Sequence, residues 1–264
     1  MKGTLGTIAL AVTVMVPLHA ANGLLIVQKT TGMTATPSTN QVQLEATRMR
    51  AESTAASGAK QIVMFDGTRK VLTMVDNEKK TYTEVTQQEA EQIGAQLSAA
   101  MEQLKQQMDA LPPERRAQMQ EIMSRMSAGA PVKPTYKKTG TATVGKWTCD
   151  RYEGFEGDKK TSEVCTVDPK ALGFTQADFA VSQQMMEFFK KIVPQMAPQM
   201  FSLGSVEHQG YPGVPVRSTF TVGGKEIVSE VTEVSRQSFP DSSYAVPDGY
   251  TKQAFGPIGR GRGR

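Results

Sequence analysis

The feature that most constrains this fold is an abrupt change of hydrophobic period at Thr86. Upstream of it, apolar and polar residues alternate in short runs, the two-residue period of strands with one buried face. The runs are Gly23 to Lys29, Gln41 to Glu52, Gln61 to Asp66, Lys70 to Asp76 and Lys80 to Val85. Turn-forming stretches separate them, among them Thr31–Asn40, Ser53–Gly58, Asp66-Gly67 and Asn77-Glu78. Successive strands at this spacing predict an antiparallel meander.

At Thr86 the period lengthens. Thr86-Gln87-Gln88-Glu89 reads as a capping box, in which the threonine and glutamate side chains satisfy the free N–H groups of a starting helix. Ile93, Leu97, Met101, Leu104, Met108 and Leu111 then recur at steps of four or three, one apolar stripe on a helix of about seven turns. Pro112-Pro113 breaks it, and Met119, Ile122, Met123 and Met126 mark a second, shorter stripe. The expectation is a helical insertion over residues 86–127, a hairpin set into a β-protein. Strand character returns at Thr135 to Lys138, Ala142 to Phe155 and Thr161 to Val167. A further helix follows, capped by Thr175 with Asp178 and carrying Met185, Met186, Phe189, Ile192 and Val193 before Pro194 and Pro198. Val214 to Val222, Gly223-Gly224 and Lys225 to Arg236 make a last hairpin, with Val216, Ser218 and Phe220 opposite Val231, Ser229 and Ile227.

The chain's start reads as an address. In residues 1–21 the only charge is Lys2, Leu5 to Leu18 is mostly apolar, and Ala20 and Ala21 offer small residues for cleavage, the pattern of a secretory signal peptide. An uncleaved anchor is the weaker alternative, because the apolar run is shorter than the ~20 residues a spanning helix needs. No cysteine follows to carry a lipid, and no later segment is apolar enough to span a membrane. The expected location is therefore the periplasm or another exported site.

Cys149 and Cys165, the only cysteines, agree with export. They flank two alternating arms around a Gly-Asp-Lys-Lys turn. A hairpin centred on Gly157 places them opposite each other, and a disulfide closing a loop of this length is worth roughly 3 kcal/mol. Free thiols or a zinc site are the competing reading, disfavoured because the two are too far apart for a CxxC pair and partners are scarce.

Charge and composition exclude more than they assign. A pI near 9.0 invites a nucleic-acid reading, but Lys2, Arg260, Arg262 and Arg264 account for the whole formal net charge of +4. The body is near neutral, and residues 255–264 read as a disordered Gly/Arg-rich tail. His19 falls in the leader, so His208 is the single candidate histidine base, and neither GxSxG, HExxH nor a Walker loop occurs. The expectation is a non-enzymatic protein without cofactor or metal. The methionines, 15 in all, lie mostly in the helical regions, where thioethers fill irregular cores or line adaptable apolar surfaces; copper(I) binding is the minor alternative.

Four segments carry a family resemblance: Ile62-Val63-Met64-Phe65-Asp66, Val75 to Glu84 (Val-Asp-Asn-Glu-Lys-Lys-Thr-Tyr-Thr-Glu), Val144 to Tyr152 (Val-Gly-Lys-Trp-Thr-Cys-Asp-Arg-Tyr), and Ala245-Val246-Pro247-Asp248-Gly249-Tyr250. In that order the chain resembles the domain-of-unknown-function 4412 family of exported bacterial proteins. The resemblance implies a fold similar to LolA-type periplasmic lipoprotein carriers and brings no catalytic residue with it. The α+β expectation is thus one domain over residues 22–254: a strongly curved antiparallel sheet, an incomplete barrel, with a helical hairpin and a further helix covering its concave face. An apolar groove between sheet and helices, lined by Met101, Leu104, Met108, Met123, Met185, Met186 and Phe189, is the candidate site for a lipid, an acyl chain or a lipoprotein segment. A structural or regulatory envelope protein that binds another protein, with no ligand cavity, is the alternative. A monomer without nucleic acid is expected in either case.

Overall fold

A computed structural model describes residues 22–54, 57–112, 115, 134–192 and 209–255. The leader, the stretch of the second expected hairpin helix, His208 and residues 256–264 lie outside the described residues; Phe255, expected to begin the disordered tail, is instead partly buried against the hydrophobic core.

The N-terminal meander forms β1 (Gly23–Thr31), β2 (Ser38–Leu44), β3 (Arg48–Thr54), β4 (Lys60–Asp66), β5 (Val71–Asp76) and β6 (Thr81–Thr86). After α1 (Gln87–Asp109) come β7 (Thr135–Val144), β8 (Trp147–Glu156) and β9 (Lys159–Val167). Then follow α2 (Gln176–Ile192), β10 (Val214–Val222), β11 (Lys225–Gln237) and a two-residue β12 (Thr251–Lys252). Single 3-10 turns lie at Pro169–Leu172 and Asp241–Tyr244.

All the described strands join one sheet in the order β12-β6-β5-β4-β3-β2-β1-β11-β10-β9-β8-β7. Every pairing is antiparallel except β12 with β6, and the sheet is unclosed, its edges being β12 and β7. β1 is the seam: it pairs β2 on one side and β11 on the other, so the first and last long strands meet mid-sheet. The ladders among β1 to β6 run without a register shift. The shifts lie instead at Val27/Gln28, Pro215/Arg217, Lys138/Gly140 and Gly154/Phe155, all on the β11-to-β7 side of the seam. A bulge bends its strand and increases local twist, so this half carries the devices that curve the sheet.

Two expected strands prove to be hairpins, for one reason. The run Gln41 to Glu52 divides at a turn where Glu45 N–H donates to the Arg48 carbonyl at 2.8 Å. Leu44 and Met49 both face the main core, and an unbroken strand would put them on opposite faces. Ala142 to Phe155 divides in the same way: Val144 and Trp147 both face the core across a turn whose Gly145 takes φ +54°. The last hairpin keeps its expected register, with Ser218 opposite Ser229 and Phe220 opposite Ile227.

The Cys149–Cys165 disulfide is formed, with the Cα atoms 5.4 Å apart. Its register differs from the expected one. The turn at Gly157-Asp158 pairs Glu156 with Lys159, and the bulge after Gly154 then brings Cys165 opposite Arg151. The bridge is therefore diagonal, joining Cys165 to the residue two positions along the same face of β8.

One main core forms on the inner face. It takes Leu24, Leu44, Phe65 and Val85 from one half of the sheet, Trp147, Cys165 and Val216 from the other, and Val181, Met185, Phe188 and Ile192 from α2. Both halves of the sheet thus close on α2. On the outer face of β4 to β6, Ile62, Met64 and Val75 form a smaller cluster with Tyr82, Val246 and Tyr250. The chain after β11 lies over them as a strap. The Arg48 guanidinium stacks 4.3 Å from the Tyr244 ring and pairs with Asp241 at 2.6 Å, while Tyr250 Oη donates to Asn77 Oδ1 at 2.7 Å.

Candidate apolar binding surface

The two helices start on similar chemistry. At α1 the capping box is present as expected: Glu89 N–H reaches the Thr86 hydroxyl, and Thr86 N–H donates to the Glu89 carboxylate at 2.8 Å. The Thr86 N–H, and with it the Thr86 hydroxyl at 2.8 Å, donate to the Glu89 carboxylate and hold its pKa below the ordinary value. At α2, Thr175 donates through both N–H (2.6 Å) and hydroxyl (2.8 Å) to Asp178, itself only 2% exposed. Arg236 of β11 closes on the same carboxylate through two nitrogens, Nη1 at 2.9 Å, and also donates to the Gly173 carbonyl. Burial pushes the Asp178 pKa up, but the Arg236 and Thr175 contacts outweigh it and leave the carboxyl below its ordinary value.

The residues singled out from the sequence do not share one groove. Met185 is in the core at 4% exposure, while Met186 and Phe189 are half-buried, Phe189 against that core. On α1, Ala90 and Gly94 are the buried residues. A Cβ on Gly94 would sit 1.9 Å from the Lys191 carbonyl oxygen, so this glycine permits a backbone-to-backbone crossing of the helices that any side chain would obstruct. Beyond the crossing the stripe emerges: Leu97 is 36% exposed, Met101 56% and Leu104 43%, with Met108 half-buried. The interior position expected for Met101 and Leu104 is therefore corrected. α1 packs chiefly on α2, and touches the sheet mainly at β6, from which it starts. Met123 lies outside the described residues.

A concavity of about 430 Å³ opens elsewhere, between α2, the β4–β5 turn and the start of α1. Phe65 and Phe188, edge to face at 5.5 Å, form its floor; Lys70, Gln87, Gln184 and Lys191 stand around it. Lys191 pairs loosely with Glu91 at 3.7 Å. Sequence periodicity gave no signal for this pocket, because Lys70 and Gln184 are brought together only by tertiary packing. The Asp178–Arg236 pair was missed for the same reason.

No cluster of metal-ligating side chains occurs among the described residues, and no helix among them is long and apolar enough to cross a membrane. Tyr211, packed against Tyr136 at 4.7 Å between ring centres, has its pKa pushed up to about 12 by burial and stays a neutral phenol.

An unclosed, curved antiparallel sheet with an inter-strand disulfide, packed on one buried and one partly exposed helix, defines an α+β domain. The family model for a domain of unknown function, DUF4412, matches residues 117–250, and the chain belongs to that family. The match spans the disulfide hairpin and the strap. No curated protein matches the chain. Among solved structures, an uncharacterized conserved protein from Thermus thermophilus is similar at 9% identity and a TM-score of 0.44, over 89% of this chain and 91% of that one. A LolA superfamily protein from Nitrosomonas europaea is similar at 7% identity and a TM-score of 0.28, over 84% and 89%.

Proposed function

We propose that this protein is an exported, non-enzymatic holder of an apolar ligand, an acyl chain or the lipid-bearing end of a lipoprotein, bound along the exposed stripe of α1. One observation carries the reading. Of the five large apolar side chains that are exposed among the described residues, three are Leu97, Met101 and Leu104, consecutive members of one helical face. Scattered apolar residues need no explanation, whereas a continuous exposed stripe marks a contact surface. Export is supported by the leader and by a disulfide that leaves no free cysteine among the described residues.

The chemistry of α1 narrows the ligand. Glu89, Glu91, Glu102 and Asp109 outnumber a single Lys105 on the helix, so an anionic bilayer surface is repelled while a discrete apolar chain is not. α2 fills most of the sheet's inner face, which favours a ligand on the exposed stripe of α1 over one buried between sheet and helices.

Native mass spectrometry of the gently purified protein tests this. The expected result is a set of adducts with acyl-chain masses, removed by organic extraction and restored by added palmitate. A bare mass before and after palmitate would overturn the reading in favour of a protein-binding role.

A further inference from the structure

The stripe contains one residue whose chemistry differs from its neighbours. Leu97 and Leu104 are inert hydrocarbons, but Met101 between them carries a thioether and is the most exposed of the three. The other methionines are distributed unevenly. Met49, Met64 and Met185 are no more than 8% exposed, and Met74, Met108 and Met186 are intermediate. Among the described residues, only Met33, in the β1–β2 turn, is comparably open at 63%. Oxidation of methionine requires an oxidant to reach the sulfur, so exposure sorts these residues by rate.

We propose that Met101 is a peroxide-sensitive site that switches the α1 surface from apolar to polar and releases its ligand. The reaction is a two-electron oxygen transfer from a peroxide. The sulfur lone pair attacks one peroxide oxygen and the O–O bond breaks. That oxygen remains on sulfur as the sulfoxide; its proton passes to the departing hydroxide, which leaves as water. Nothing else need be consumed. The new S–O dipole lies between Leu97 and Leu104, and an apolar chain seated there would have to strip it of water without supplying a hydrogen bond. Oxidation at Met33 adds a dipole to a turn outside this stripe, so the two exposed methionines have the same chemistry and different consequences.

This inference rests on the apolar-ligand reading, and the experiment separates the two. The purified full chain is treated with graded hydrogen peroxide. Sulfoxide is mapped by peptide mass spectrometry, and affinity for the apolar probe N-phenyl-1-naphthylamine is measured by fluorescence. Met101 and Met33 should oxidise first, at least tenfold faster than Met49, Met64 and Met185, and probe affinity should fall about tenfold as Met101 converts. In Met101→Leu the affinities before and after peroxide should agree within twofold, whatever the starting value. Met33→Leu should keep the full drop. Oxidation of Met101 no faster than that of Met185 would overturn the proposal at the level of exposure. A drop that persists in Met101→Leu, or full conversion of Met101 with unchanged affinity, would overturn the switch while leaving apolar binding intact. Failure of the untreated protein to bind the probe would overturn both.

Discussion

α1 and α2 have the same kind of sequence and opposite fates. Each opens on a threonine with an acid three residues on, and each carries an apolar stripe at helical spacing. α2 is buried along its length, from Val181 at 0% exposure to Ile192 at 7%, because both halves of the sheet close on it. α1 is buried only at Ala90 and Gly94, and its stripe comes out into solvent beyond the crossing. Amphipathic periodicity thus specifies that a helix has an apolar face, not what meets that face. The part of the stripe that the core does not use stays exposed.

The largest expected effect lies in α2. Phe188→Ala removes a ring packed on both Phe65 and Phe189 and should cost about 4 kcal/mol, a fall in Tm of roughly 10 °C by calorimetry. A loss below about 1 kcal/mol would mean that α2 is not the centre of the core.

Next in size is the anchor of α2. Asp178→Asn weakens the Arg236 contact and should cost about 2 kcal/mol at neutral pH. The sign with pH follows from the lowered carboxyl pKa of the folded state. Its contribution is fully present above the unfolded value near 4 and is lost as pH falls through the lower folded value. Urea melts from pH 7 to pH 2 should therefore show a shallower acid limb in the variant than in the parent chain.

The crossing gives a smaller effect with an informative sign. On an open helix Gly→Ala stabilises by up to about 1 kcal/mol. At Gly94 the new methyl would meet the Lys191 backbone, so Gly94→Ala should instead destabilise by about 1–2 kcal/mol in denaturant titrations. Stabilisation there would mean that the two helix backbones do not meet at Gly94.

Much of this contrast was invisible in sequence for definite reasons. The caps were legible because they are local: Thr86 with Glu89, and Thr175 with Asp178, lie within one turn. The disulfide pair was legible because two cysteines allow one pairing, although its diagonal register depended on the bulge after Gly154. The turns at Glu45 to Thr47 and at Gly145-Lys146 were hidden inside apparently continuous strands. Their signal was present as a slip in alternation, Leu44 to Met49 and Val144 to Trp147, which a count of inward positions would have shown. The candidate site was half legible. The stripe Leu97-Met101-Leu104 could be read from spacing, but its exposure is set by tertiary packing, which spacing does not carry. The strap is similar: Val246 and Tyr250 stood out only through family resemblance, and their task of covering Ile62, Met64 and Val75 emerges from tertiary contacts.

The smallest stability effect is also the decisive one. Met101→Asp with Leu104→Asp places two charges on side chains that are already 56% and 43% exposed, so Tm should stay within about 2 °C of the parent, as for other exposed positions. The same protein, titrated with N-phenyl-1-naphthylamine beside the parent chain, tests the proposal that α1 holds the ligand while α2 holds the fold. The expected result is an unchanged melting curve with probe affinity reduced at least tenfold. A collapsed melting curve would put the stripe in the core, and an unchanged curve with undiminished affinity would put the ligand elsewhere; either result contradicts this division of roles between the helices.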